Sequence, residues 1–180
     1  MKKCLTWLVA VVIASGTAIA SEGRFELERC SELELRVAGL FRVGTASLHL
    51  RDCNSAREQV LAAVPKQFSL DLARSFSGSD LSDTAREVLT RNLALDSEQD
   101  LPQPLQCMAD AYIDARAGDR YDVVYSPDYG LSMYLNNELL RLCEDDGSGE
   151  KYFMIWFGEF PFHRRMRDEL LRRADETSRG

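Results

Sequence analysis

Residues 117–140 read AGDRYDVVYSPDYGLSMYLNNELL, and this stretch decides the fold class. Positions 120–126 form a strand candidate, Pro127 to Gly130 a turn, and 131–135 alternates Leu131, Met133 and Leu135 with polar or aromatic neighbours. Alternation with a period of two is the mark of a strand that buries one face. Asn136-Asn137 supplies two residues that tolerate positive φ, so 138–142 is predicted to fold back as a further strand. Reversals this tight join antiparallel neighbours, because parallel strands need long crossovers.

Working toward the N-terminus, Leu33, Leu35 and Val37 alternate with Glu34 and Arg36, which predicts a strand followed by another at about 41–50. Asn54 or Ser55 is read as the cap of a short helix with Val60, Leu61 and Val64 on its apolar side, ended by Pro65. Phe68, Leu70 and Leu72 give a third strand. Gly78 breaks the chain, Ser79 or Asp80 caps, and Leu81, Ala85, Val88, Leu89 and Leu93 recur at helical spacing. Leu105, Met108, Ala109, Tyr112 and Ile113 predict another helix, closed by Gly118. Toward the C-terminus, the acidic run Glu144 to Asp146 reads as a solvated loop, since it lacks the alternating ligand spacing of a calcium loop. Tyr152 to Phe157 reads as a deeply buried short helix. A last amphipathic helix carries Phe162, Met166, Leu170 and Leu171, with a polar, frayed tail from Ala174. The expected class is α+β, with helices packed on an antiparallel sheet.

The chain opens with Lys2 and Lys3, runs apolar from Leu5 to Ile13 and reaches Ala18-Ile19-Ala20, the pattern of a secretory signal cleaved after Ala20. That run is shorter than the roughly 20 residues a membrane span needs, so no transmembrane anchor is expected in the mature protein. Residues 21–180 then form one domain, periplasmic or secreted. The full sequence carries a formal charge of −7, and losing two lysines makes it more acidic still. Nucleic acid is therefore excluded as a partner, because phosphate binding needs a basic face.

Four cysteines remain: Cys30, Cys53, Cys107 and Cys143. An even number outside the cytoplasm points to disulfides. A metal site is disfavoured: there is no C-x-x-C, and His49 and His163 have no cysteine at ligand spacing. Three connectivities are open, with Cys30–Cys53 and Cys107–Cys143 preferred because the first pair flanks a predicted strand pair. No cofactor is expected. The chain lacks a G-x-S-x-G elbow, a phosphate-binding glycine loop, a dinucleotide fingerprint and an H-E-x-x-H helix.

Three stretches, LFRVGTASLHL at 40–50, residues 117–140 quoted above and YFMIWFGEFPF at 152–162, together resemble exported bacterial proteins of the chalcone isomerase-like family. The likeness runs from about residue 33 to 171. It implies an open-faced β-sandwich of chalcone isomerase type, with a ligand cleft between the sheet and the helices. Plant members cyclise chalcones using an arginine, a threonine, a tyrosine, an asparagine and a later threonine or serine. By motif position these map here onto Arg36, Gly44, Leu81, Val88 and Ile155.

Four of those polar groups have become a glycine and three aliphatics, so donors aimed at a developing charge are lost and chalcone isomerase activity is not expected. Apolar walls with one guanidinium suit a carboxylate on an apolar tail, and some relatives of the plant enzyme bind fatty acids. The residues expected to bind are Arg36 as anchor, with Gly44, Leu81, Val88, Ile155 and Trp156 around it. The reading is a non-catalytic binding protein for a small amphipathic carboxylate. An isomerase or lyase with altered chemistry, and a partner-binding module whose cleft is filled core, are the alternatives.

Overall fold

The computed structural model describes residues 26–37 and 41–177. The predicted signal at residues 1–20 lies outside the described residues. Among the described residues six strands run in chain order across one sheet: β1 (Glu28–Val37), β2 (Phe41–Leu50), β3 (Lys66–Leu72), β4 (Arg120–Ser126), β5 (Gly130–Leu135) and β6 (Glu138–Cys143). Every neighbouring pair is antiparallel, as the tight turns require. The turn between β4 and β5 and the turn at Asn136 (φ 52°) and Asn137 (φ 70°) fall where the sequence puts them.

Among the described residues five α-helices accompany the sheet: α1 (Ala56–Gln59), α2 (Gly78–Asn92), α3 (Gln103–Ala109), α4 (Met154–Phe157) and α5 (Arg164–Thr177). They cover one face. Ala46, Leu48, Phe68, Tyr121, Val123, Leu131 and Met133 point from the sheet into a core with Leu89, Leu105, Met108, Phe153 and Leu170 of the helical layer. The opposite face carries Ser47, His49, Gln67, Ser69, Arg120 and Asp122, tied together by hydrogen bonds. Asp122, only 1% exposed, accepts from Arg120 at 2.8 Å and from Gln67 at 3.0 Å, which satisfies a charge that burial alone would disfavour. The open-faced α+β architecture is as the sequence predicts.

Several element ends differ from expectation. The first helix is a single turn, with Ser55 in a left-handed conformation (φ 58°) and making no side-chain cap. The carbonyls at its end and just beyond it are taken by Lys66, whose ammonium donates to Val60 at 3.0 Å, to Gln59 at 3.3 Å and to Ala62. Ser77, rather than Ser79 or Asp80, caps α2, and Gly78 lies inside its first turn. A Cβ on Gly78 would stand 2.7 Å from the Ile113 Cα, so only glycine lets the two segments touch. The Gly78 amide donates to Asp114 at 2.9 Å.

The helix predicted through Ile113 stops at Ala109. Tyr121 explains why: its hydroxyl donates to the Ile113 carbonyl at 2.6 Å and accepts from the Ile113 amide at 3.2 Å, holding 111–115 out of the helix. Phe76 and Ala115 then pair as an isolated bridge. Gly118 (φ 94°) serves the turn into β4 instead of ending a helix. Far from fraying at Ala174, α5 runs to Thr177, with Ala174 buried and Asp175 paired with Arg57 at 3.1 Å.

The acidic loop is solvated at Glu144 and Asp146, as the sequence predicts, and is tied down through Asp145 between them. Asp145 accepts from the amides of Gly147, Ser148 and Gly149 and from the Tyr125 hydroxyl at 2.9 Å. Burial would raise its carboxyl, but those bonds, the Gly149 amide foremost, hold it below the usual range.

Disulfides join Cys30 to Cys53 and Cys107 to Cys143, the preferred pairing. The first ties β1 to the segment after β2, and the second ties α3 to β6. No helix among the described residues is long and apolar enough to cross a membrane.

Candidate ligand-binding site

A cavity of about 330 Å³ lies between the sheet and the helices, near the low end of the range that holds small ligands. Leu35, Val43, Phe68, Leu70 and Val123 form its floor, positions on the first four strands. Leu81, Thr84 and Ala85 of α2 supply one wall. Ile155 and Trp156 of α4, with Phe162 and Met166, supply another. Trp156 stacks on Phe68 with centroids 4.1 Å apart, and Phe153 meets its edge at 5.6 Å. These rings occupy part of the space between the sheet and the helices.

The polar groups belong mostly to the helix start and the connecting segments. Arg74, between β3 and α2, lies over the Phe76 ring at 5.2 Å and makes no hydrogen bond or ion pair with any described residue. Thr84 is already spending its proton, donating to the Asp80 carbonyl at 2.7 Å. Asp80 itself places a carboxylate on the lining. Tyr112 meets Tyr121 edge to face at 5.3 Å, and its hydroxyl lies 3.4 Å from that of Tyr152. Burial pushes the Tyr112 hydroxyl up to about 12, so it stays protonated at any physiological pH.

Of the residues expected from the sequence, Leu81, Ile155 and Trp156 line the cavity together. Arg36 does not. Its guanidinium donates to Glu34 at 2.6 Å, Arg42 approaches the same carboxylate at 3.0 Å, and all three are solvent-exposed. Strand alternation explains this, since Leu35 turns inward to the cavity and Arg36 turns out. A bulge beside Leu35 leaves Val43 as the extra residue between the Leu35–Gly44 and Arg36–Arg42 pairs, and Val43 also lines the cavity.

Gly44 is a packing position: a Cβ there would stand 2.1 Å from the Asp71 carbonyl oxygen. Val88, 3% exposed, belongs to the core behind the cavity. The residue that the sequence reading missed is Arg74. A cation just after β3 and just before the α2 cap was the available signal, but nothing local says which segment ends at a cavity.

His49 and His163 have structural partners. The His49 ring bonds Ser47 at 3.0 Å on the outer sheet face, and burial, helped by Arg120, lowers its pKa. His163 accepts from the Met166 amide at 3.0 Å at the start of α5.

The arrangement can hold a molecule with an apolar body and a polar head. A free guanidinium offers two parallel donors to a carboxylate, whereas the Asp80 carboxylate resists an anion and favours a donor. Among the described residues, Arg74 is the one basic side chain on the lining, so an anionic head has a single anchor.

A fatty-acid binding protein of Arabidopsis thaliana has a similar solved structure, with a TM-score of 0.61 and 14% identity over 86% of this chain and 91% of that one. At that identity the likeness shows the fold. No curated protein matches the chain at a significant level. The family model described as chalcone isomerase-like matches residues 32–172, which contain the sheet from the middle of β1 onward and every wall of the cavity. The chain belongs to the chalcone isomerase-like family.

Proposed function

We propose that this protein is a non-catalytic binding protein for a small amphipathic acid of the fatty-acid class, with the tail in the cavity and the carboxylate on Arg74. The carrying observation is a guanidinium with no hydrogen-bond or ion-pair partner among the described residues, on the lining of a cavity whose walls are mostly apolar. Unspent donors beside apolar volume match a head and a tail. A fold neighbour named for fatty-acid binding supports the ligand class. The cavity volume of about 330 Å³ favours a medium chain over a long one. Two disulfides fit a protein that works outside the cytoplasm, in the periplasm or medium.

Calorimetric titration with a medium-chain fatty acid tests this. Arg74→Ala should weaken binding about tenfold, the scale of one lost charge-assisted bond at a partly exposed site. Arg36→Ala should leave affinity unchanged. Leu81→Trp should block the tail while sparing the cation, and Asp80→Asn should strengthen binding. Failure of the acid to bind, or equal losses in Arg74→Ala and Arg36→Ala, overturns the proposal.

A further inference from the structure

Beside the cavity, the loop from Gly158 to His163 displays Phe160, 41% exposed, and Phe162, 46% exposed. Exposed rings on a frayed loop would mean little, but this loop is pinned along its length. The Asn92 side chain both donates to the Phe160 carbonyl, at 2.8 Å, and accepts from the Phe160 amide, at 3.0 Å. The Phe162 amide donates to the Ile155 carbonyl at 2.7 Å, and Arg167 donates to the Gly158 carbonyl at 2.9 Å. Pro161 stiffens the backbone between the two rings. The loop therefore holds apolar surface in water by construction.

Arg164 and Arg165 follow directly, both exposed and neither paired with any described residue. The nearby acids are already used: Asp168 by Arg167 at 2.7 Å, and Glu169 by Arg172 at 2.7 Å and Arg173 at 2.8 Å. Glu159 is the one acid in the segment from 158 to 165. Phe162 also lines the cavity, so this surface continues into the proposed ligand site.

We infer that the Phe160–Arg165 surface docks on an anionic lipid bilayer, bringing the cavity that Phe162 lines to the membrane from which an amphipathic acid is taken or to which it is delivered. Aromatic side chains favour the interface between water and acyl chains, and arginines favour anionic headgroups. A net charge of −7 for the whole chain does not prevent this. Screening within about 8 Å at physiological ionic strength leaves the local patch to decide. An acidic protein surface could meet the arginines, but a pair of pinned phenylalanines beside a mostly apolar cavity favours the bilayer.

Docking rests on the exposed surface, while its purpose rests on the function proposed above, and the two can fail separately. The test is sedimentation of the protein with mixed phosphatidylcholine–phosphatidylglycerol vesicles and with pure phosphatidylcholine vesicles. The wild type should partition to the mixed vesicles and much less to the pure ones. Arg164→Glu with Arg165→Glu should lower partitioning at least about twentyfold, since each arginine at an anionic surface contributes about fivefold. Phe160→Ser should weaken it independently. Neither variant touches the cavity, so fatty-acid affinity measured without vesicles should be unchanged in both. Absence of binding to the mixed vesicles, or binding indifferent to both variants, overturns the inference.

Discussion

Raising the pH from 7 to 9 should stabilise this protein, and Lys66 is the reason. The residue opens β3 on its inward side, pairs across the sheet with Tyr125, and has no exposed surface. Its ammonium lies 5.3 Å from the Tyr125 ring centre and 5.1 Å from that of Phe153. Burial depresses its pKa from 10.5 to about 7, with Glu150 opposing the change. Between those two values the unfolded chain holds a proton that the folded chain has released, so stability rises with pH across the window. Integrated from pH 7 to 9, the gain is about 2 kcal/mol. His49, already lowered, has shed its proton before the window opens, and the four described cysteines are bonded. Above about pH 10 the sign reverses, because Tyr112, Tyr125 and Tyr152 are all raised and ionise first in the unfolded chain. Urea denaturation at constant ionic strength reads this as a rising midpoint with an unchanged m-value. Lys66→Met should flatten the profile between pH 7 and 9. A flat wild-type profile would refute the reasoning: the three carbonyls and two ring faces would then be holding the ammonium charged in spite of burial.

Denatured, unreduced protein should show no reactive thiol at Cys30, Cys53, Cys107 or Cys143, and peptide mapping should recover the two pairs found here. Replacing either pair with serine should cost about 3 to 4 kcal/mol, given loops closed over 23 and 36 residues, as read from the shift in urea midpoint. Gly44→Ala should cost about 1 to 3 kcal/mol by forcing β2 and β3 apart where a Cβ would meet the Asp71 carbonyl, and a neutral substitution would show that the strands can give.

The sequence alone determined what local periodicity and turn chemistry can encode. Alternation of Leu131, Met133 and Leu135 and the Asn136-Asn137 reversal placed the last three strands, and the antiparallel class followed from the short connections. It also put Glu34 and Arg36 on the face opposite Leu35, and the structure keeps that alternation while leaving Arg36 off the cavity. A family position carried Arg36 toward the ligand, but the pleat of the strand carried it away.

Tertiary structure decided the rest, because those features depend on contacts that neither strand nor helix periodicity encodes. Tyr121 stops the helix before Tyr112, and Asp114 helps to fix the start of α2. Lys66 is an inward lysine that no pattern marks, made tolerable by carbonyls at Gln59, Val60 and Ala62. The cavity is a gap left where strands, helices and their connections fail to fill space. Its arginine, Arg74, becomes distinctive only through the absence of a hydrogen-bond or ion-pair partner among the described residues, and a sequence records side chains but not the distances between them.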